Sequence, residues 1–511
     1  MNSLRIPHTE LPGTSSLFAD YLYHFERAAR FYRHDPHDPE ALRRAANAAR
    51  IPDAGRQALA SALRRSNGET SAIAQLELPD TVAVVTGQQV GLFSGPAYTI
   101  YKALSAVRLA HKLTESGVRA VPVFWLATED HDLAEVDHVW IFDSSQRPLR
   151  LNAATAGHNG GPVGAVEISR PPVEELAAAL RGFLYADEVI GLVEECYQPG
   201  RTFGEAFRAL LQRLLAGYGL VFFDPLDPAI RALAAPFLQT AFERREELVA
   251  GLLERTAQLQ QAGYHAQVLV EAQSSLFFQL QNGRRQRLKP SDSVDDPATL
   301  SPNALLRPVM QDSLLPTAAY IGGPAELAYL AQSEVLYQTL LGHMPVATPR
   351  SGFTLLDERA RKLMARFGIT LTDCFHGEAK LKQRVAARLI PESLEISFEN
   401  VTSEIRNSLD RLYRELHAFD PSLGEALTKS RAKILYQLSK NQAKAGREAL
   451  RRNARVDEAA VHLSSLVFPE HHLQERLYSI LPFLARHGFD LLDTLYENVQ
   501  PGCPDHLLLS V

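Results

Sequence analysis

The chain has 511 residues, 46% hydrophobic and 22% charged, with 30 glycines and 30 prolines; this balance excludes disorder, a collagen-like repeat and a small disulfide scaffold, and the length suffices for about three structural units. Lysine and arginine number 53 against 59 aspartates and glutamates, a formal charge of −6, so no global positive field draws the chain to nucleic acid or to an anionic membrane, although a local anion site stays open. Cys196, Cys374 and Cys503 lie far apart with no CxxC pair, which points to a reducing compartment and away from a thiolate zinc site.

Residues 1–7 lack the apolar run of a signal peptide, and no stretch approaches the roughly 18 apolar residues of a membrane span, so a cytoplasmic protein is expected. Residues 15–66 read as helices, with Asp38 as a cap, Pro39 in a first helical turn, and Asn67-Gly68 as the close. A strand over 81–86 runs into Gly87-Gln88-Gln89-Val90-Gly91-Leu92-Phe93-Ser94-Gly95-Pro96, and a helix follows from Ala97 to about Glu115. A second buried strand, 121–127, delivers Thr128-Glu129-Asp130-His131-Asp132 at its end. Strand, helix and strand in this order predict a parallel βαβ unit with both polar clusters at the carboxyl edge of the sheet.

Residues 143–218 interrupt the alternation with a glycine-rich turn over 157–164 and mainly helical sequence, and read as an insertion. The α/β pattern resumes with a strand over 219–223, the exit turn Asp224-Pro225 and a helix over 228–263. Asn282-Gly283 between a strand at 276–281 and a basic return strand predicts a β-hairpin. A strand over 317–321 then meets Gly322-Gly323-Pro324 and a helix from Ala325, and a strand near 345–348 leads to a helix near Asp357. Beyond about 391 the helices lengthen: Phe398, Ile405, Leu412 and Phe419 fall seven apart, with Val401, Leu409 and Leu416 beside them, until Pro421 breaks the run. Leu423, Leu427, Ile434, Leu438, Ala445 and Ala449 then share an arc of roughly 80° at 100° per residue. The two helices should fold back as an antiparallel hairpin, either packed within the chain or forming a dimer interface. The expected segments are thus N-terminal helices and the first half of the core (1–142), the insertion (143–218), the second half of the core with its hairpin near 276–290 (219–390), a coiled-coil arm (391–455) and a return to the core (456–511).

Three segments carry candidate chemistry. Between Thr86 and Lys102 the chain passes through Gly87, Gly91 and Gly95 into a helix start; such a turn brings backbone N–H groups and a partial positive charge to a phosphate or carboxylate, or serves the fold alone. It is neither GxGxxG nor a Walker loop, but Gln88 and Gln89 add amides that suit a bound ligand. Lys102, two turns on, is either a phosphate contact or a solvated lysine. The segment from Arg307 through Gln311 and Asp312 to Tyr320, Gly322, Gly323 and Glu326 repeats the device, and two such helix starts at one sheet edge would frame a crevice. Glu326 either complements its helix dipole or binds an amine. Glu129, Asp130, His131 and Asp132, followed by Asp137 and His138, could ligate a divalent metal, orient or deprotonate an amine, or form a structural hydrogen-bond cluster.

Together TGQQVGLFSGPAYTIYKALS (86–105), PVFWLATEDHDLAEVDHV (122–139) and RPVMQDSLLPTAAYIGGPAELAYLAQ (307–332) resemble the bacillithiol-biosynthesis cysteine ligase family, BshC, in order and over essentially the whole chain. The resemblance implies an α/β fold with a Rossmann-like core akin to class I aminoacyl-tRNA synthetases, connecting-peptide insertions, and a C-terminal α-helical coiled-coil arm used in homodimerisation. It implies a ligase that joins L-cysteine to the amine of glucosaminyl-malate, with ATP as the activating nucleotide, accompanied by Mg2+. If the synthetase likeness extends to chemistry, Gln88 to Gly95 stands where those enzymes carry a histidine-containing ATP signature, here without histidines, and no KMSKS-like segment is evident. Both AMP and ADP therefore stay open as products. In that reading Gln88, Gln89, Asp130, His131 and Asp132 are the catalytic candidates. Gly87, Gly91, Ser94, Gly95, Tyr98, Lys102, Glu129, Arg307, Gln311, Asp312, Tyr320, Gly322, Gly323 and Glu326 are expected to bind substrate or nucleotide. No zinc site, nucleic acid or membrane partner is expected. The competing readings are a metal-dependent hydrolase centred on Glu129 to His138 and a non-catalytic assembly protein using the arm.

Overall fold

Continuous runs of apolar residues give five strands with almost no solvent-facing side, as expected where both faces of a sheet are covered. These are β1 (Val82–Gln88), β2 (Ala120–Leu126), β3 (Val221–Phe223), β4 (Thr317–Gly322) and β5 (Val346–Pro349). The computed structural model describes residues 4–452 and 454–511, and in it these strands form one parallel sheet in the order β5-β4-β1-β2-β3. The chain leaves β1 for β2 and β3 on one side and only later returns to β4 on the other. The order therefore reverses between β1 and β4, and a crevice at their carboxyl ends follows from that topology.

Alternation along the strands divides the core. Val82 and Val84 of β1, with Ala318 and Ile321 of β4, pack under Ala106, Leu109 and Leu113 of helix α1 (Tyr98–Glu115). Ala83 and Val85 face the other way, into a larger cluster with Trp125 and Phe223. That cluster includes helices α2 (Pro228–Glu243), α3 (Arg307–Leu314) and α4 (Pro324–Leu340). Proline in the first turn of α2, α3 and α4 forgoes an N–H that the helix leaves unpaired anyway.

Several boundaries differ from expectation. Asp38 builds a turn, accepting from Glu40 N and Ala41 N, and the helix begins only at Ala41. The helix expected over 228–263 is two, α2 and Arg245–Gln261, parted at Arg244. The region 143–218 is less helical than its composition suggests. The hairpin formed by His138–Phe142 with Pro148–Asn152 leads into it, Ala154–Thr155 pairs with Ile168–Arg170, and three helices follow. The Asn-Gly hairpin forms as read, with Asn282 and Gly283 both at positive φ (53° and 70°), and gains a third strand, Leu300–Pro302.

Contacts divide the chain into two compact units, residues up to Thr354 with Glu475–Leu509, and Leu355–Gln474. The second begins upstream of the arm because the short helix Glu378–Ala387 packs on the arm's return helix and on Ala454–Val467. The arm is the helix pair Glu392–Phe419 and Pro421–Arg451. Arg431 pairs with Asp410 and Gly424 lies against His417, the offsets of an antiparallel pair. A Cβ at Gly424 would come within 3.0 Å of the His417 ring, so glycine permits the close approach. The seam is narrower than the heptads imply. Ile405, Leu409 and Leu416 are half-buried, whereas Leu412 is 43% and Phe419 85% exposed. On the return helix Leu435 occupies the place expected of Ile434, which faces outward. No described helix is long and apolar enough to cross a membrane.

Candidate functional site

At the switch point a cavity of about 310 Å³ opens, walled by the end of β1, the first turns of α1 and α4, and Trp125 of β2. Gly87 is required by packing: a Cβ there would lie 2.8 Å from the Trp125 carbonyl oxygen and 3.0 Å from its Cβ. Without it β1 and β2 could not hold their spacing, and the Trp125 wall would move. At Gly322 a Cβ would come 2.6 Å from the Leu327 side-chain methyl, so any larger residue in the turn from β4 into α4 requires that buried leucine to shift.

The cavity is organised by a buried ion pair. Lys102 projects from α1, and its Nζ donates to Gly87 O at 3.0 Å, Gln88 Oε1 at 2.8 Å and Glu326 Oε2 at 2.5 Å. Three acceptors around one nitrogen are the surroundings of an ammonium and leave it no N–H for a ligand. Glu326, in the first turn of α4, also accepts from Gly323 N (2.8 Å), which caps the helix, and from the Tyr320 hydroxyl (2.8 Å). Burial works against the Glu326 anion, but Lys102 and these two donors outweigh it and hold the carboxyl below its ordinary value. For Lys102 burial is the larger influence, reinforced by Arg350 and Arg307, so its proton is held less firmly than on an exposed lysine.

Around this pair stands a cationic wall. Arg307 opens α3 and donates to Gln311 Oε1 (3.0 Å) and to the hydroxyls of Tyr320 and Tyr329 (both 3.3 Å), with its guanidinium 5.6 Å from the Trp125 ring. Arg350 is held on both terminal nitrogens by Glu475, at 2.9 and 2.5 Å, and stands over the Tyr98 ring. Burial would raise the Glu475 carboxyl, but Arg350 prevails and pulls it down to about 2. Arg476 reaches the same cavity from the next position, exposed, with its charge acting on the Tyr98 hydroxyl. Three guanidinium groups facing one hollow suit carboxylate or phosphate oxygens.

The structure brings together only part of what the sequence proposes. Gly87, Gln88, Gln89, Tyr98, Lys102, Arg307, Tyr320, Gly323 and Glu326 line the cavity. Gly91, Ser94 and Gly95, expected to cradle a ligand, do not. Their loop is buried and held by the protein itself, with Leu92 N on Val136 O, Ala97 N on Tyr478 O, and the Ser94 hydroxyl 3.3 Å from that of Ser479. The left-handed backbone at Phe93, Ser94 and Gly95 (φ 48°, 73° and 63°) makes this a tight structural turn, and the α1 entrance is no open anion site. Gly322 and the pair Gln311 and Asp312 lie behind the wall; Asp312 accepts from Gln311 and Tyr337 and so braces Arg307.

The 129–138 cluster, read as catalytic or metal-binding, is engaged by protein partners, with His131 3.5 Å from Asp130 and His138 3.1 Å from Asp137. Glu129 is buried against Arg231, which also holds the carbonyls of Ala298 and Leu300. Asp130 accepts from Gln89 at 2.7 Å, His131 meets Arg285, and Asp132 caps a turn through Ala134 N. Among the described residues no three histidine, cysteine or carboxylate side chains are grouped to hold a metal. The reading of the sequence missed Trp125, Tyr329, Arg350 and Arg476. Trp125 was in view as strand core, but Arg350 and Arg476 sit in no motif, and only folding brings them to the β1 edge.

Comparison with known proteins agrees with the architecture. A family model described as the N-terminal Rossmann-like domain of bacillithiol biosynthesis BshC matches residues 1–295 and 290–351, and one described as its C-terminal coiled-coil domain matches 353–511. Proteins named "Putative cysteine ligase BshC" are similar along their whole length. That of Solibacter usitatus is 50% identical, covering 100% of both chains. That of Koribacter versatilis is 36% identical over 99% of each, and that of Salinibacter ruber 31% identical over 99% of this chain and 98% of its own.

Proposed function

The chain belongs to the bacillithiol-biosynthesis BshC family, and from that premise we propose that it is a ligase joining L-cysteine to the amine of glucosaminyl-malate through ATP-dependent activation of the cysteine carboxylate. The observation that carries the reading is the cavity at the β1–β4 switch point, where Arg307, Arg350 and Arg476 surround the Lys102–Glu326 pair. Its cations match the oxygens that every reactant brings: the cysteine carboxylate, the malate carboxylates and the nucleotide phosphates. Mg2+ would arrive on the phosphates, since Glu326 is already engaged by Lys102, Tyr320 and Gly323.

Two half-reactions account for amide formation. The cysteine carboxylate attacks ATP to give an acyl adenylate with release of pyrophosphate, or an acyl phosphate with release of ADP. The glucosamine amine then attacks the acyl carbon and expels AMP or phosphate. Incubation of the purified protein with ATP, Mg2+, cysteine and glucosaminyl-malate tests this directly. Thiol product with AMP supports the adenylate route, thiol product with ADP the acyl-phosphate route, and no thiol product from folded protein refutes the assignment.

We further propose that the arm mediates homodimerisation. Leu412, Phe419, Ile434 and Tyr436 stay exposed on a helical hairpin that has already closed its own seam, a surplus of apolar surface that suits a second copy of the same arm.

A further inference from the structure

The hydrogen bonds of the cavity form a chain whose polarity is forced. Lys102 can only donate, so the Gln88 atom 2.8 Å from its Nζ is the amide oxygen. The Gln88 nitrogen therefore turns the other way, toward the Tyr98 hydroxyl at 3.1 Å, and an amide N–H can only donate. The Tyr98 oxygen is thus an acceptor in the chain, and its own proton must point elsewhere. Among the described residues no acceptor meets it. Tyr98 lines the cavity, its ring flanked by Lys102 at 5.6 Å and by Arg350 at 5.4 Å. A phenol with a committed oxygen and an unclaimed proton, at the rim of a cationic hollow, is a hydrogen-bond donor set for an acceptor the protein does not supply.

We propose that Tyr98 is a catalytic residue that donates its hydroxyl hydrogen bond to the carbonyl oxygen of the activated cysteinyl group, with Lys102 and Gln88 as positioning residues. This role rests on the ligase reading above. When the amine lone pair forms the C–N bond, the carbonyl π pair moves onto oxygen. Collapse of that oxyanion re-forms the carbonyl and breaks the bond to phosphate, while the amine proton leaves to solvent. Tyr98 keeps its proton throughout. A neutral donor suits this task, because it interacts weakly with a neutral carbonyl and strongly with the oxyanion, and so favours the transition state over the ground state. The guanidinium groups, by contrast, bind anions that are charged before and after the step. Burial, the largest influence on Tyr98, raises its pKa and keeps the phenol protonated.

The test is steady-state kinetics of wild type and Tyr98→Phe with cysteine, ATP and glucosaminyl-malate. The substitution removes one oxygen from the cavity wall and keeps the ring. Thermal melting and circular dichroism of the variant confirm that it folds, and Tyr98→Leu, if folded, provides a second measurement. The expected result is a kcat lowered about 100-fold or more, with KM for each substrate within about threefold of wild type. A Tyr98→Phe enzyme with kcat within about twofold of wild type overturns the role, as does a loss confined to KM. A folded wild-type protein that makes no amide overturns the ligase reading, and this role with it.

Discussion

The Lys102–Glu326 pair invites a double-mutant cycle on stability. Glu326→Gln strips the charge from beneath Lys102 and leaves a buried ammonium facing only neutral acceptors, among them Gly87 O and Gln88 Oε1. Lys102 and Gly323 N both donate to Oε2 and the Tyr320 hydroxyl to Oε1, so the new amide keeps its oxygen toward the first two only by turning its NH2 on the Tyr320 hydroxyl. Breaking a buried pair in this way costs about 3–5 kcal/mol. Lys102→Met should cost less, because Glu326 retains two donors. In the double variant no charge is left uncompensated, so its loss should fall short of the sum of the single losses by at least about 2 kcal/mol. With an unfolding entropy of about 2.1 cal/mol/K per residue over a unit of roughly 390 residues, 4 kcal/mol lowers Tm by about 5 °C. Differential scanning calorimetry resolves such a shift. Single variants within about 1 °C of wild type, or a double variant whose loss is the plain sum, would refute the claim that these charges support one another inside the cavity.

The Arg350–Glu475 pair predicts a pH dependence. The folded carboxyl, held at about 2, lies below its unfolded value, so its stabilisation is complete above about pH 5 and fades as the pH falls toward 2. The Tm difference between wild type and Glu475→Gln should therefore be constant from pH 6 to 8 and shrink below pH 4; a gap that widens on acidification would contradict the pairing. His8 is also depressed, to about 3, mainly by burial, with His506 adding to it, so a loss of stability should begin as the pH drops below about 6.5 and be smaller in His8→Gln. Gly87→Ala places a methyl 2.8 Å from the Trp125 carbonyl and should cost about 1–3 kcal/mol, together with most of the ligase activity; a wild-type Tm would mean that β1 and β2 adjust without loss. Leu412→Asp with Ile434→Asp alters exposed positions of the arm and should shift sedimentation from dimer to monomer while helicity by circular dichroism is kept. An unchanged mass would place any dimer contact elsewhere.

Much of the architecture was written in local pattern. The runs that become β1, β2 and β4 are apolar on both faces, which only a sheet covered on both sides accommodates, and the helices between them make parallel pairing the natural connection. Asn282-Gly283 specified its hairpin because two adjacent residues at positive φ are a property of those residues. The arm was legible for the same reason, since a periodic apolar stripe and a single Pro421 report on their own neighbourhood. In each case the interaction spans a few residues, and its energy is set before the chain folds further.

What tertiary structure alone decided is which of the conspicuous residues share a site. The glycine-rich loop has the composition of an anion cradle, yet Tyr478 and Ser479, nearly 400 positions later, occupy its donors. Glu129 to Asp132 looks like a catalytic cluster, and folding sets Arg231, Gln89 and Arg285 against its members. Arg350, Glu475 and Arg476 carry no motif and still complete the cationic wall. Even within the arm, whether Ile434 or Leu435 enters the seam depends on the crossing of two helices, not on the repeat of either one. A buried polar side chain takes whichever partner packing brings within about 3 Å, and that choice follows from the order in which distant strands and loops meet.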